Sequence, residues 1–304
     1  MNPDLLKRLD ATEAVRFTSL TLLPWRSLPA KAAREGPVIA IGLSLIGRPV
    51  GFGLAELCPP HECGHVRSIA VVPAYRRRGV GAALLARLEN EILRHGYAKA
   101  STSYLPHAPS APAFERMLHN SGWESPRPEK VVCRLDGEGA VRLMQTPWFT
   151  CLSLPAAFSV FPWVELKDED KQRLLAAHER EPVWEEGLDP FRGIGKPEPV
   201  NSLGLLYQGE VVGWMLTERL APGLLRYTNL FVRREHRSAG LGIVLLAETI
   251  RRQWEHEGHL ACRGGLWQTL CSNAPMVKFI QRYMAPYLTK IVETCESRKS
   301  LTGS

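Results

Sequence analysis

The stretch AYRRRGVGAALL, residues 74–85, runs Arg76, Arg77 and Arg78 into Gly79-Val80-Gly81-Ala82, where an apolar helical pattern begins at once. The stretch EHRSAGLGIVLL, residues 235–246, repeats the arrangement: Arg237-Ser238-Ala239 runs into Gly240-Leu241-Gly242-Ile243. A glycine turn that opens a helix aims several unpaired backbone N–H groups in one direction, and the helix dipole adds about half a positive charge there. Such a turn can hold phosphate, the glycines allowing close approach and the arginines adding charge-assisted contacts. A dinucleotide fingerprint would need a third glycine where the first copy has Leu84, and a Walker loop would need Gly-Lys-Ser/Thr; neither is present. Two copies in matching surroundings argue against a mere tight corner with exposed arginines.

Those surroundings match piece by piece. HVRSIAVVP before the first turn and RYTNLFV before the second read as strands. Leu84, Leu85, Leu88 and Ile92 follow at helical spacing in one, Leu245, Leu246, Ile250 and Trp254 in the other, with Gly96 and Gly258 as expected stops. Each unit is preceded by a hairpin-like strand pair turning at Gly47-Arg48 or Gln208-Gly209. Each is followed by a strand (AKASTSYL, LACRGGLWQTL), a helix (APAFERMLHNSGW, NAPMVKFIQRYM) and a last strand (EKVVCRL, YLTKIVETC). An internal repeat of this size predicts two tandem domains of one fold, residues 1–148 and 149–304, joined near TPWFTCLSLPA. The second half alone carries KDEDKQRLLAAHEREPVWEEGLDPF, an amphipathic helix and acidic loop that the first half lacks.

The bulk numbers fit this reading. The 304 residues, 45% hydrophobic and 23% charged, are enough for two globular domains. No apolar run approaches the ~18 residues of a membrane span, and the N-terminal stretch lacks a signal-peptide core, so a cytoplasmic location is the default expectation. Seven scattered cysteines point to reduced thiols. Cys58, His61, Cys63 and His65 cluster in CPPHECGH, but the spacing is loose for zinc and no distant second knuckle is evident. A turn containing thiols and imidazoles is the preferred reading, with no metal. The net charge of +7 suits a polyanionic ligand without choosing one. Nucleic acid is disfavoured, because no basic–aromatic stripe or recognition motif accompanies the charge.

Arg76-x-x-Gly79-x-Gly81-Ala82 and Arg237-x-x-Gly240-x-Gly242 resemble the Gln/Arg-x-x-Gly-x-Gly/Ala signature of the GCN5-related N-acetyltransferases (GNAT), and SIAVVP and NLFVRR resemble that family's fourth strand. The resemblance recurs once per half. It implies an α/β fold of two tandem GNAT domains, each a mixed, mostly antiparallel sheet flanked by helices. It also implies an acyl-CoA donor: the turns would hold the pyrophosphate, while the backbone near Ile69 to Val71 and Leu230, Phe231 and Val232 would pair with the pantetheine arm. Asn273 stands where the family often has an asparagine touching that arm; the first half has PSAPA there.

Acyl transfer to an amine needs a base for the ammonium and gains from an acid for the departing thiolate. The family's usual tyrosine acid is absent: the matching positions are Ile280 and Met117 or Leu118, with Tyr283 one turn beyond Ile280. Counting back by twos from Ile69 puts Arg67 and His65 on its strand face; the same count from Leu230 gives Thr228 and Arg226. His65 is thus a candidate base in the first domain, and Glu218 on the neighbouring strand a candidate in the second. Glu185, Glu186 and Asp189 could attract a cationic acceptor, or simply be a solvated acidic surface.

The expectation is an N-acyltransferase moving acetyl or a longer acyl group from acyl-CoA, or from an acyl carrier protein, to a primary amine of a small molecule or peptide such as a lysine or ornithine side chain. Asn273 and the longer acceptor-side segment incline the catalytic assignment to the second domain. The alternative is a non-catalytic tandem protein that senses CoA or holds a partner. Oligomeric state is open.

Overall fold

The computed structural model describes residues 5–302 apart from 23, 24, 34, 60, 61, 193, 194 and 262; the side chains of Glu186, Ser238, Ala239 and residues 257–261 also lie outside the description. The chain divides into two compact units, Met1–Glu129 with Glu293–Ser304, and Lys130–Val292.

In the first unit β1 (Leu6–Arg8) and α1 (Ala11–Val15) precede three longer strands, β2 (Val38–Leu45), β3 (Arg48–Cys58) and β4 (Cys63–Val71). Helix α2 (Val80–Arg94) leads to β5 (Lys99–Tyr104) and α3 (Ala111–Asn120). The strand order is β1-β2-β3-β4-β5-β12, where β12 (Lys290–Ser300) is the last strand of the chain. Neighbours are antiparallel except β4 and β5, which are parallel and joined by the α2 crossover. The β2–β3 turn uses Ile46 (φ +50°) and Gly47 (φ +72°), one residue earlier than expected, since this tight turn needs two successive positive φ angles. One sheet face packs on α2 through Val80, Leu84, Leu85, Leu88 and Ile92; a Cβ on Gly64 would stand 2.6 Å from Ile92. The other face is covered over β2 and β3 by α1 and the turns after it, with Phe17 stacked 5.3 Å from Phe52.

The second unit contains β6 (Arg127–Leu135), α4 (Gly137–Met144), α5 (Pro147–Thr150), β7 (Phe158–Pro162), α6 (Asp168–Arg180), β8 (Leu203–Tyr207), β9 (Glu210–Ala221), β10 (Leu224–Val232), α7 (Leu241–Ala261), β11 (Gly264–Leu270) and α8 (Ala274–Phe279). Its order is β6-β11-β10-β9-β8-β7, again with one parallel pair, β10 and β11. Helix α7 runs through Gly258, the expected stop, to Ala261, so β11 begins later than LACRGG suggested.

The expected division at 148/149 does not coincide with where the compact units part. The closing strands are exchanged: β6, from the first half, pairs with β11, and β12, from the second half, pairs with β5. Residues after β6 stay with the second unit. Leu143 and Phe149 join the cluster around α7, and Arg251 donates to the carbonyls of Phe149 (2.9 Å) and Leu152 (3.0 Å). Alternating apolar residues announce a strand, but they do not say which sheet edge it joins.

Candidate functional site

Both glycine turns form as expected. Gly79 (φ +80°) caps α2 and Gly240 (φ +68°) precedes α7, each in the left-handed region that glycine tolerates. Arg76 and Arg237 use Nε to clamp the turn back on its strand, donating to Val71 O and Val232 O, both at 2.8 Å. These two arginines therefore shape the turn as well as charge it. The turns differ at the helix start. In α2 the first amide to reach a backbone carbonyl is Ala83, bonded to Gly79 O at 3.0 Å, which leaves Val80, Gly81 and Ala82 facing outward. In α7 both Ile243 (2.9 Å) and Val244 (3.2 Å) share Gly240 O, so the turn is tighter and keeps fewer amides for an anion. A Cβ on Gly81 would meet Met117 Sδ at 3.2 Å, whereas one on Gly242 would meet nothing nearer than 3.9 Å.

Next to each turn the parallel strands part. Strand β4 pairs with β5 from Cys63 to Val66, and β10 with β11 from Leu224 to Tyr227; beyond those points the ladder ends. Ile69 and Val71, and Leu230 to Val232, therefore line an open strand edge that another extended chain could complete. The parting follows a bulge in each strand. Leu54 pairs with Ser68 and Ala55 with Val66, so Arg67 is the extra residue; Leu216 pairs with Asn229 and Thr217 with Tyr227, so Thr228 is the extra one.

Residues 8–119 match the model of the acetyltransferase (GNAT) family. Over nearly its whole length the chain resembles a tandem GNAT protein from the clavulanic acid biosynthesis pathway: 18% identity, 98% of this chain, 99% of that one, TM-score 0.66. The match of the family model is confined to the first part of the chain, and the chain as a whole has the tandem GNAT fold. A GCN5-related N-acetyltransferase from Sphaerobacter thermophilus is similar at 17% identity, covering 98% of this chain and 96% of that one, TM-score 0.66. So is the glucosamine N-acetyltransferase region of a fungal multi-domain β-N-acetylglucosaminidase: 11% identity, 97% of this chain, 38% of that one, TM-score 0.68. No curated protein sequence matches significantly.

In both units the bulge corrects the strand parity read from sequence. His65 pairs with Glu56 and shares the face of Leu54 and Ser68, while Ile69 pairs with Gly53 on the α2 face. Counting by twos across Arg67 put His65 and Ile69 on one side; the extra residue puts them on opposite sides. Arg226 is likewise opposite Leu230.

On its own face His65 has polar company. Its Nδ1 meets the hydroxyl of Ser101, which is 2% exposed. Arg67 donates through Nε (3.0 Å) and Nη2 (2.8 Å) to Glu56 and lies 4.7 Å over the Trp25 ring. Beyond the bulge this face continues through Ala70, which is half-buried.

The second unit fills the same face. Trp214 and Phe231 stack 4.4 Å apart, both buried, under Trp184, which itself stacks on His178 at 4.0 Å. Glu218 belongs to this face, opposite Arg226, and its carboxylate is occupied: Oε1 accepts the Gly195 N–H and Oε2 lies 3.4 Å from Arg226 Nη1. Asp189 Oδ1 accepts the Phe191 N–H at 2.7 Å, and its carbonyl accepts Asn229 Nδ2 at 3.2 Å, tying the acidic loop to β10. Glu185 is exposed. The Glu186 side chain lies outside the described residues.

Tyr283 packs on Trp148 (5.3 Å) and Phe279 (5.6 Å), both of which pack against the α7-side cluster, so it is not brought to Glu218. Asn273 caps α8, its Oδ1 accepting the Met276 N–H at 3.3 Å. A tyrosine the sequence reading missed is Tyr104 at the end of β5. It donates to Glu115 Oε1 at 3.0 Å, and burial, reinforced by Glu115, pushes its hydroxyl far above the usual range. With Glu115, His119, Trp123 and Ser297 it lines a cavity of about 270 Å³ beside α3. Among the described residues no cluster of three or more His, Cys, Asp or Glu is placed to hold a metal; His61 lies outside them. No described helix is long and apolar enough to cross a membrane.

Proposed function

We propose that the chain is an acyl-CoA-dependent N-acyltransferase whose transfer site lies in the first unit, reversing the inclination drawn from the sequence. The observation that supports this choice is the contrast beyond the bulge. The first unit has the small, half-buried Ala70 on the face that carries His65, and the second has Phe231 buried under two tryptophans. A donor thioester laid along the open edge of β4 would have its phosphates at Gly79–Ala82 and room for an amine on the His65 face.

His65 takes the proton of the incoming ammonium, and the amine attacks the thioester carbonyl. Outward backbone amides of β4 polarise that carbonyl, and the tetrahedral species collapses to amide and thiolate. The thiolate, a stronger base than imidazole, takes a proton from the imidazolium. The acceptor is a primary amine of a small molecule or peptide. The acyl group is acetyl or a longer chain. The turn of the second unit holds CoA without transfer.

Calorimetric titration of acetyl-CoA and a longer acyl-CoA into the wild type, Gly81→Glu and Gly242→Glu, paired with CoA-release assays over an amine panel, tests this. Each glutamate places bulk and a like charge in one turn. Gly81→Glu is expected to abolish turnover and one binding event, while Gly242→Glu removes binding without turnover. Loss of turnover in Gly242→Glu alone would move the transfer site to the second unit.

A further inference from the structure

The β3–β4 hairpin closes on two thiols. Cys58 and Cys63 are register partners at its end, Cys63 buried and Cys58 half-buried, and both are free. Directly opposed residues of an antiparallel pair share a sheet face and have Cα atoms about 4.5 or 5.5 Å apart. Either separation lies within the ~4.4–6.8 Å that a disulfide spans. The Cys63 thiol donates to Gly64 O at 3.7 Å, and the Ser101 hydroxyl, near enough to favour the Cys63 thiolate, in turn meets Nδ1 of His65. Cys58, Cys63, Ser101 and His65 thus lie together at one end of the β3–β4 hairpin, Cys63 and His65 sharing a sheet face.

We propose that Cys58 and Cys63 form a reversible disulfide, with a peroxide as oxidant, and that its formation withdraws Cys63 from Ser101 and changes how His65 is held. The thiol pair stands independently of the proposed reaction; the consequence for catalysis rests on His65 being its base. Cys58, the more accessible thiol, attacks hydrogen peroxide: an S–O bond forms, the O–O bond breaks, and a sulfenic acid and water result. The Cys63 sulfur then attacks the Cys58 sulfur. The S–S bond forms, the S–O bond breaks, and a second water leaves with the Cys63 proton. Two thiols lose two electrons and the peroxide becomes two waters. Burial holds the Cys63 thiol above its usual range, which keeps it from competing for the first step and suits it to the second, intramolecular one. A dithiol reductant reverses the change.

The test uses the full chain, reduced, freed of reductant and treated with hydrogen peroxide. Cleavage after Glu62 without reduction is expected to leave two fragments joined through Cys58 and Cys63, short of two hydrogens, and separable by dithiothreitol. Cys58→Ser and Cys63→Ser should each abolish the joined product, and Cys151→Ser, which removes an exposed thiol elsewhere, should not. Sulfinic acid at Cys58 with Cys63 still a thiol, or linkage of either to Cys151, would overturn the pair. Heteronuclear NMR of the His65 ring in both states reads the coupling without relying on turnover. A changed tautomer or titration midpoint is expected on oxidation, and an identical titration overturns the coupling. A chain that passes both tests yet transfers no acyl group counts against the proposed reaction alone.

Discussion

Ala70 and Phe231 stand at matching places in the two units, three residues past a strand bulge and one before the end of the strand that feeds a glycine turn. Across the ladder each faces an aromatic residue, Phe52 or Trp214. Both units therefore carry the same backbone device, bulge, parting strands and turn, while the side chains on one face differ. In the second unit that face became a core: Trp163, Trp184, Trp214 and Phe231 close over it, with Leu174 of α6. In the first unit the hydrophobic cluster stops at β3, and β4 presents His65, Arg67 and Ser68. A backbone cradle can persist for structural reasons; a polar face beside it is where chemistry can still happen.

The sharpest way to break this comparison is to remove one candidate base from each unit. His65→Ala should lower kcat/KM for CoA release by a factor on the order of 10²–10⁴. Glu218→Ala should leave turnover near wild type while costing about 0.5–1.5 kcal/mol of stability, because the exposed Gly195 amide exchanges its carboxylate acceptor for water. Steady-state kinetics beside urea unfolding separates the two effects, and the opposite pattern would sink the assignment.

Next in size is Phe231→Ala. If the aromatic face of the second unit is a core, truncation should destabilise the chain by about 3–5 kcal/mol, read as a lowered denaturation midpoint. A near-neutral result would mean that Phe231 guards a pocket instead of filling a core. The converse graft, Ala70→Phe, inserts bulk into the first unit. It should raise the acceptor KM, leave the affinity for acyl-CoA measured by calorimetry unchanged, and cost about 1–3 kcal/mol where the ring strains its neighbours.

What the sequence disclosed and what it withheld divides along the same line. The two turns were legible because backbone conformation there demands specific residue types: Gly79 and Gly240 sit at positive φ, and few other residues do so readily. The α2 helix and the strands feeding it were legible from apolar spacing. The bulges were not, since Arg67 and Thr228 look like ordinary strand residues, and one uncounted residue inverts every later assignment of face. That is why His65 was placed with Ile69. The exchange of β6 and β12 was hidden for a related reason. EKVVCRL and YLTKIVETC are equally good strands in either unit, and pairing partners are a long-range property. Tyr104 is not legible as an acid because the family resemblance points to a tyrosine on the helix after β5, not at the end of β5 itself.

The smallest effect concerns Asn273, where resemblance and geometry assign different work to one side chain. Resemblance gives it the pantetheine arm, yet its Oδ1 already accepts the Met276 amide at the start of α8. Truncating a capping residue costs about 0.5–2 kcal/mol of stability, and substituting an aspartate keeps the acceptor oxygen while removing the amide donor. If Asn273 serves only the helix, Asn273→Ala should lower the denaturation midpoint, Asn273→Asp should restore it, and neither should alter the CoA-binding event that Gly242→Glu removes. If it serves the donor, Asn273→Asp should weaken that event despite normal stability, because a carboxylate cannot donate and brings a like charge towards the phosphates. The pair of substitutions thus decides whether the second turn still has a working partner for CoA or has kept only the cap.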